Sequence, residues 1–257
     1  MSEKNRDGKR TARERLADER DKQKAAAKRR RTLIIGASVV VVLGLAAVVG
    51  VVAANAGKDS GGDSSGPVAA PSGANGQDSL AIPVGKESAK STLTVWEDFR
   101  CPACKAFETT YRPAINQLVD AGQLKVQYHL ATIIDGNLGG SGSRHAANAA
   151  ACAQDAGKFR AYHDVLYENQ PEETDDAYAS DKKLVELAGK VDGLDTPAFR
   201  TCVNDGTHDS WVVKSNEAFQ KGGFSGTPTV LLNGKSIYGD QSLTPAKLKQ
   251  MVEAADK

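Results

Sequence analysis

Two cysteines separated by two residues, Cys101-Pro102-Ala103-Cys104, are the part of this chain whose types and spacing could do chemistry. The thiolate, not the thiol, attacks a disulfide. The pair follows a strand-like run, Thr92-Leu93-Thr94-Val95-Trp96, and precedes a helical pattern with Phe107, Tyr111, Ile115 and Leu118 on one face. Cys101 is therefore expected at a helix N-terminus, where unpaired N–H groups and the macrodipole favour an anion. Pro102 suits the first helical turn, which needs no N–H from it. Cys104 lies one turn on, close enough to form a disulfide with Cys101 and to resolve a mixed one. Cys101 is expected to ionise below the free value of about 8.5.

The other two cysteines, Cys152 and Cys202, complete an even set, which an oxidising compartment allows to form two disulfides. Two alternatives exist: a second redox relay, and zinc shared by all four. Neither cysteine has a CxxC partner or a helix-start position, which argues against the relay. The fifty-residue gap between them argues against zinc, as do the spacings of His129, His145, His163 and His208. Each histidine is read as a surface or hydrogen-bonded residue, and no metal or cofactor is expected.

The elements that must position the pair sit in one part of a 257-residue chain. Residues 1–31 carry thirteen Lys or Arg against six acids, whereas the whole chain has a net charge of only +1. A basic tail on a mildly acidic body points to two compartments rather than to a nucleic-acid binder. Residues 32–54 contain the uncharged run Leu33–Ala54, long enough for a bilayer. Basic residues just before it place the N-terminus in the cytoplasm and the remainder outside. The run exceeds the usual signal-peptide core, so it reads as a single-pass anchor, with cleavage after Ala56 as the alternative. Residues 55–80, rich in Gly, Ser and Pro, read as a flexible tether.

Residues 81–257 have globular composition. Leu80–Ile82 and Ser91–Glu97 read as strands, and a helix is expected from Cys101 to about Ala121, kinked at Pro113 and ended by Gly122. Leu124–Leu130 alternates as a strand. A helical block over about 139–222 follows, then strands at Thr229–Leu232 and Lys235–Tyr238 around Asn233-Gly234, a strong hairpin signal. Thr244-Pro245 starts a last helix.

This order, β-α-β, helical block, β-β-α, with CxxC at the first helix start, resembles the α/β thioredoxin fold carrying an inserted helical domain. Trp96-Glu97-Asp98-Phe99-Arg100-Cys101-Pro102-Ala103-Cys104 and the distant Gly226-Thr227-Pro228-Thr229 resemble the DsbA-like thiol:disulfide oxidoreductases, in the membrane-tethered form of Gram-positive bacteria. The resemblance implies a redox-active Cys101–Cys104 pair and a cis Thr227-Pro228 bond beside it. It also implies substrate contact at Pro102, Ala103, Thr227 and Pro228, and a structural Cys152–Cys202 disulfide. Reduced or unfolded secreted proteins would be the substrates and a quinone-linked reoxidase of the DsbB or VKOR type the partner, with the protein a monomer. A reductase or isomerase, or a redox-inactive tethered binding protein or chaperone, are the alternatives, as is a regulator acting through the basic tail. Many thioredoxin-like enzymes carry a buried acid six residues before the first cysteine, and here that position is Val95. Glu97 and Asp98 are the nearest acids, candidates for proton transfer at Cys104 or simply surface charge at a strand end. Phe99, Phe107 and the residues around Pro228 are candidates for an apolar docking groove, with core packing the alternative for Phe107.

Overall fold

The computed structural model describes residues 68–240 and 242–255. The expected basic tail, the membrane span and the first part of the tether lie outside the described residues. Among the described residues no helix is long and apolar enough to cross a membrane.

The sheet is built from β1 (Ile82–Val84), β2 (Ser91–Glu97), β3 (Leu124–Leu130), β4 (Thr229–Leu232) and β5 (Lys235–Ser236), in the order β1-β3-β2-β4-β5. β2 and β3 run parallel, from Ser91 opposite Leu124 to Glu97 opposite Leu130; the other pairings are antiparallel. Alternation explains the register: Leu93 and Val95 of β2 and Leu124 and Val126 of β3 are fully buried on neighbouring strands. The first strand begins two residues later than expected, because Ala81 is occupied in an isolated bridge with Asn75. Asn233 and Gly234 both have positive φ (50° and 80°), the requirement of a two-residue primed turn.

The parallel pair is joined by α1 (Pro102–Asp120), which ends as expected at Gly122 (φ 74°). There Gln123 N–H donates to Leu118 O and Gly122 N–H to Val119 O, the paired bonds of a Schellman stop. α1 is one continuous helix across Pro113. Pro113 and Thr109, whose carbonyl loses its helical donor, both lie on the exposed side, where water can serve that carbonyl.

Between β3 and β4 the chain forms the expected helical block: α2 (Ile133–Leu138), α3 (Gly142–Asp155), α4 (Phe159–Glu168), α5 (Asp181–Ala188), α6 (Pro197–Asn204) and α7 (Asp209–Lys221). α8 (Pro245–Ala255) follows the hairpin and packs on α1. The alanines of α3 are its design: Ala146, Ala147, Ala149, Ala150, Ala151 and Ala153 are all fully buried, so the helix is covered on every side by neighbours that come close. α2 escaped sequence reading because it is short, has Gly136 inside it and shows no period.

Part of the stretch read as tether is described, and it lies against the domain. Ala69 O faces His208 Nδ1 at 2.7 Å, Ser72 N–H donates to Asp155 at 2.7 Å, and Trp211 Nε1–H donates to Ser79 O at 2.8 Å. Backbone groups, not apolar side chains, make these bonds, so composition does not reveal them.

Cys152 of α3 and Cys202 of α6 are joined by a disulfide across 50 residues of chain. With Cys152 and Cys202 so committed, the four cysteines do not form a thiolate cluster for zinc. Closing a loop of that length restricts the unfolded chain by about 4 kcal/mol. Replacing both cysteines with alanine should therefore lower the unfolding free energy by about that amount in denaturant melts. Exchange activity of the folded protein should be unchanged; lost activity in a folded double variant would contradict a purely structural disulfide.

Candidate active site

β2 delivers the chain to α1 through Asp98–Cys101. Cys101 is the N-cap residue of α1, in extended conformation, and its carbonyl accepts from Cys104 and Lys105 N–H at 3.1 and 3.2 Å. Four side chains clamp this loop. Asp98 accepts from Arg100 N–H (2.8 Å) and from Ile134 N–H (3.0 Å). Gln170 Nε2 donates to Phe99 O and Cys101 O at 2.9 and 3.0 Å. Tyr167 Oη–H donates to Asp98 O at 3.3 Å. Arg100 reaches into the helical block, 2.7 Å from Asp135 and 2.9 Å from Asp176, and donates to Gly139 O and Glu173 O. Those two aspartates also accept from the first amides of α3, at Ser143 and Arg144 and at Ser141 and Gly142.

Across from Cys101 stands the Thr227-Pro228 peptide, which is cis. Cys101 Sγ lies 3.4 Å from Thr227 O. Thr227 is half-buried and Pro228 buried, whereas Pro102 and Ala103 are exposed beside the thiol. Cys101 and Cys104 are free thiols, the first 6% exposed and the second wholly buried. Their acidities diverge. The Cys104 thiol, then the Cys104 and Ala103 amides, lower Cys101 to about 6 against the opposing effect of burial. Burial, Cys101 and Glu97 push Cys104 well above the ordinary thiol range.

Glu97 and Asp98 are completely buried, so the reading of surface charge at a strand end is incorrect. Burial raises Asp98 to about 7 against its two backbone hydrogen bonds. Glu97 Oε1 meets His163 Nε2 at 2.8 Å, and Glu97 Oε2 has no hydrogen-bond partner among the described residues. Phe99 and Phe107 are core residues, not groove walls, at 1% and 2% exposure. Phe99 packs on Tyr167 and His163; Phe107 stacks on Tyr111 and meets the edge of Tyr238, the aromatic left at the surface. His145 meets Asp181 and His208 meets Asp155, whereas His129 is buried and stacked on Trp96 with its Nδ1 lacking a hydrogen-bond partner among the described residues. Sequence reading missed Arg100 and Glu108, near the pair in the chain but given their roles by burial, and His163, Tyr167 and Gln170, which tertiary contacts bring in. An acid one turn after Cys104 was the one local signal available.

An acidic, slightly accessible sulfur over a buried, reluctant one is what exchange of disulfides requires. The class of protein that this fold and site define is a DsbA-like thiol:disulfide oxidoreductase. A family model described as thioredoxin matches residues 78–254, and the chain belongs to this family. It is 29% identical over 157 residues to disulfide bond formation protein D of Bacillus subtilis, covering 60% of this chain and 68% of that one. The reduced disulfide bond oxidoreductase DsbG of Mycobacterium tuberculosis superposes with a TM-score of 0.61 at 28% identity, covering 71% of this chain and 89% of that chain. Oxidised DsbA of the same organism gives 0.59 at 28% identity, covering 68% and 92%.

Thiolate absorbance of the reduced protein should show one cysteine ionising near pH 6, and Cys101→Ser should abolish that step. Because folding lowers this group, the folded reduced protein gains stability as pH rises from about 6 toward the ordinary thiol range and loses that gain below 6. The slope should be about 1.4 kcal/mol per pH unit, while the oxidised protein, which lacks the thiol, shows none from this source.

Proposed function

We propose that this protein is an extracytoplasmic, membrane-tethered oxidase that passes the Cys101–Cys104 disulfide to reduced secreted or surface proteins. The observation that carries this reading is Cys101 at the N-cap of α1, 6% exposed, set over a wholly buried Cys104; this arrangement lowers the first to about 6 and pushes the second well above its ordinary range. A substrate thiolate attacks Cys101 Sγ, and the Cys101–Cys104 bond breaks. A second substrate thiol then attacks the mixed disulfide, the substrate leaves oxidised, and the pair remains as a thiolate and a thiol. Stabilising the Cys101 thiolate favours the reduced form and so makes the disulfide a stronger oxidant.

Pro102 and Ala103, exposed beside the sulfur, and the Thr227 backbone are the surfaces an extended substrate would meet, with buried Pro228 holding the turn behind them. Of the two candidate acids, Glu97 is the proton acceptor for Cys104. Both Asp98 oxygens are taken by backbone amides, whereas Glu97 Oε2 is unpartnered among the described residues. Leu33–Ala54 and the basic residues before it support a single-pass anchor with a cytoplasmic N-terminus. A quinone-linked membrane reoxidase of the DsbB or VKOR type would restore the disulfide, as the resemblance implies; the name of the Bacillus relative, disulfide bond formation protein D, supports the same direction of flow.

Equilibration of the pair with glutathione tests the direction. The potential should lie closer to the value of about −120 mV for DsbA than to that of about −270 mV for thioredoxin. A value at the thioredoxin end would make the protein a reductase.

A further inference from the structure

Two buried titratable side chains beside Glu97 have no part in the steps above. Glu108 of α1 is fully buried, and neither of its carboxyl oxygens has a hydrogen-bond partner among the described residues. His163 of α4, contributed by the helical block, is 1% exposed. Ligand atoms of Glu97, Glu108 and His163 all lie within 4.8 Å of one another. Glu108 is four residues after Cys104, so the two share a face of α1, and a helical side chain leans back over the preceding turn.

Resting on the oxidoreductase reading of Cys101 and Cys104, we propose that Glu97, Glu108 and His163 form one proton-holding unit for Cys104. Glu97 receives the thiol proton, and His163 and Glu108 are positioning residues that keep the unit electrically neutral.

The argument is one of charge in a space without solvent. Full ionisation of all three groups would leave a net buried charge of one carboxylate, at a cost of several kcal/mol. A Glu97 anion, a His163 cation and a neutral Glu108 leave none. Burial raises Glu108 to about 8, against the pull of His163. Burial opposes the charge on His163, but the Glu97 carboxylate and the hydrogen bonds to Asp164 and Glu97 act against it, and the imidazole is held well above its ordinary range. The surrounding groups fit this assignment. Asp164 meets the other ring nitrogen at 3.2 Å and is itself 3.5 Å from Arg112. Tyr128 of β3 and Tyr167 of α4 are pushed well above their ordinary range by burial and stay neutral. Asp98 turns its oxygens to backbone amides, and Arg160 is engaged by Asp120 at 2.6 Å.

Consider Cys101 joined to a partner sulfur. The Cys104 Sγ–H bond breaks and its proton passes to Glu97 Oε2. The freed electron pair forms the Cys104–Cys101 bond, the bond from Cys101 to the partner breaks, and the partner sulfur leaves as a thiolate. The dithiol is oxidised by two electrons and the partner disulfide is reduced. In the opposite direction Glu97 returns its proton to the departing Cys104 thiolate. Above about pH 8 Glu108 loses its own proton, and the added negative charge makes Cys104 harder to deprotonate.

The reduced full-length protein, mixed with an aromatic disulfide such as dithiobis(nitrobenzoate), releases two coloured thiolates in turn, the first by Cys101 attack and the second by Cys104 resolution. His163→Gln should leave the first release unchanged and slow the second about tenfold at pH 7, the effect of about one pKa unit. In Glu108→Gln the second release should keep rising above pH 8, where the parent's levels off. The proposal is overturned if His163→Gln slows both releases equally, or if the levelling persists in Glu108→Gln. It is also overturned if the purified protein holds a stoichiometric divalent metal that Glu108→Gln loses. Near-UV circular dichroism reports folding; should His163→Gln not fold, the Glu108→Gln profile decides alone. A parent that gives no first release overturns the oxidoreductase reading itself, a different result from unequal releases.

Discussion

Arg100 carries a full charge with 2% of its side chain exposed, and the architecture of the site follows from how that charge is held. A buried cation is tolerable only when paired and hydrogen-bonded. Here two carboxylates and two carbonyls converge on it, from α2, from the turn before α3 and from the loop after α4. The same carboxylates cap the first amides of α3, so one network sets both the start of the buried helix and the residue next to Cys101. The helical block is thereby fastened to the backbone of the reactive loop, and the loop cannot shift without breaking bonds in the dry interior.

The network explains why Cys101 can be an effective N-cap although its side chain makes no capping bond. Its backbone is positioned by Gln170 and by Asp98, leaving the sulfur free to face Cys104 and the Thr227 carbonyl. A helix N-terminus alone contributes a modest bias toward the anion. Adding directed donors around a sulfur of low exposure brings the thiol to about 6. The same burial acts oppositely one turn on, where Cys104 has no exposure and an acid nearby. Two cysteines of one motif are thus driven apart by their different access to donors and to solvent.

The sheet, the long helix after the motif and the final hairpin were legible because each carries a strong local signal. Alternation marks β2 and β3, an apolar stripe marks α1, and Asn233-Gly234 marks the turn. Pro113 sits on an exposed face, where water can serve its orphan carbonyl and the helix continues. Glu97 and Asp98 misled. At the end of a strand an acid ordinarily faces solvent, but here α2 and α4 cover it, and those helices are remote in sequence. Phe99 and Phe107 read equally well as groove or core until the helical block was seen to cover them.

By itself, the sequence determined that a CxxC pair would stand at a helix start after a buried strand, that a Thr-Pro turn would precede the last hairpin, and that a helical block would interrupt the fold. These are matters of local period and backbone preference, which short windows encode. Only the tertiary structure decided which side chains surround the sulfurs. Arg100, Glu108, His163 and Gln170 act through partners remote in the chain, Asp176 and Glu173 for Arg100, and their chemistry comes from burial and mutual distance, quantities that exist only once the block has closed over the sheet.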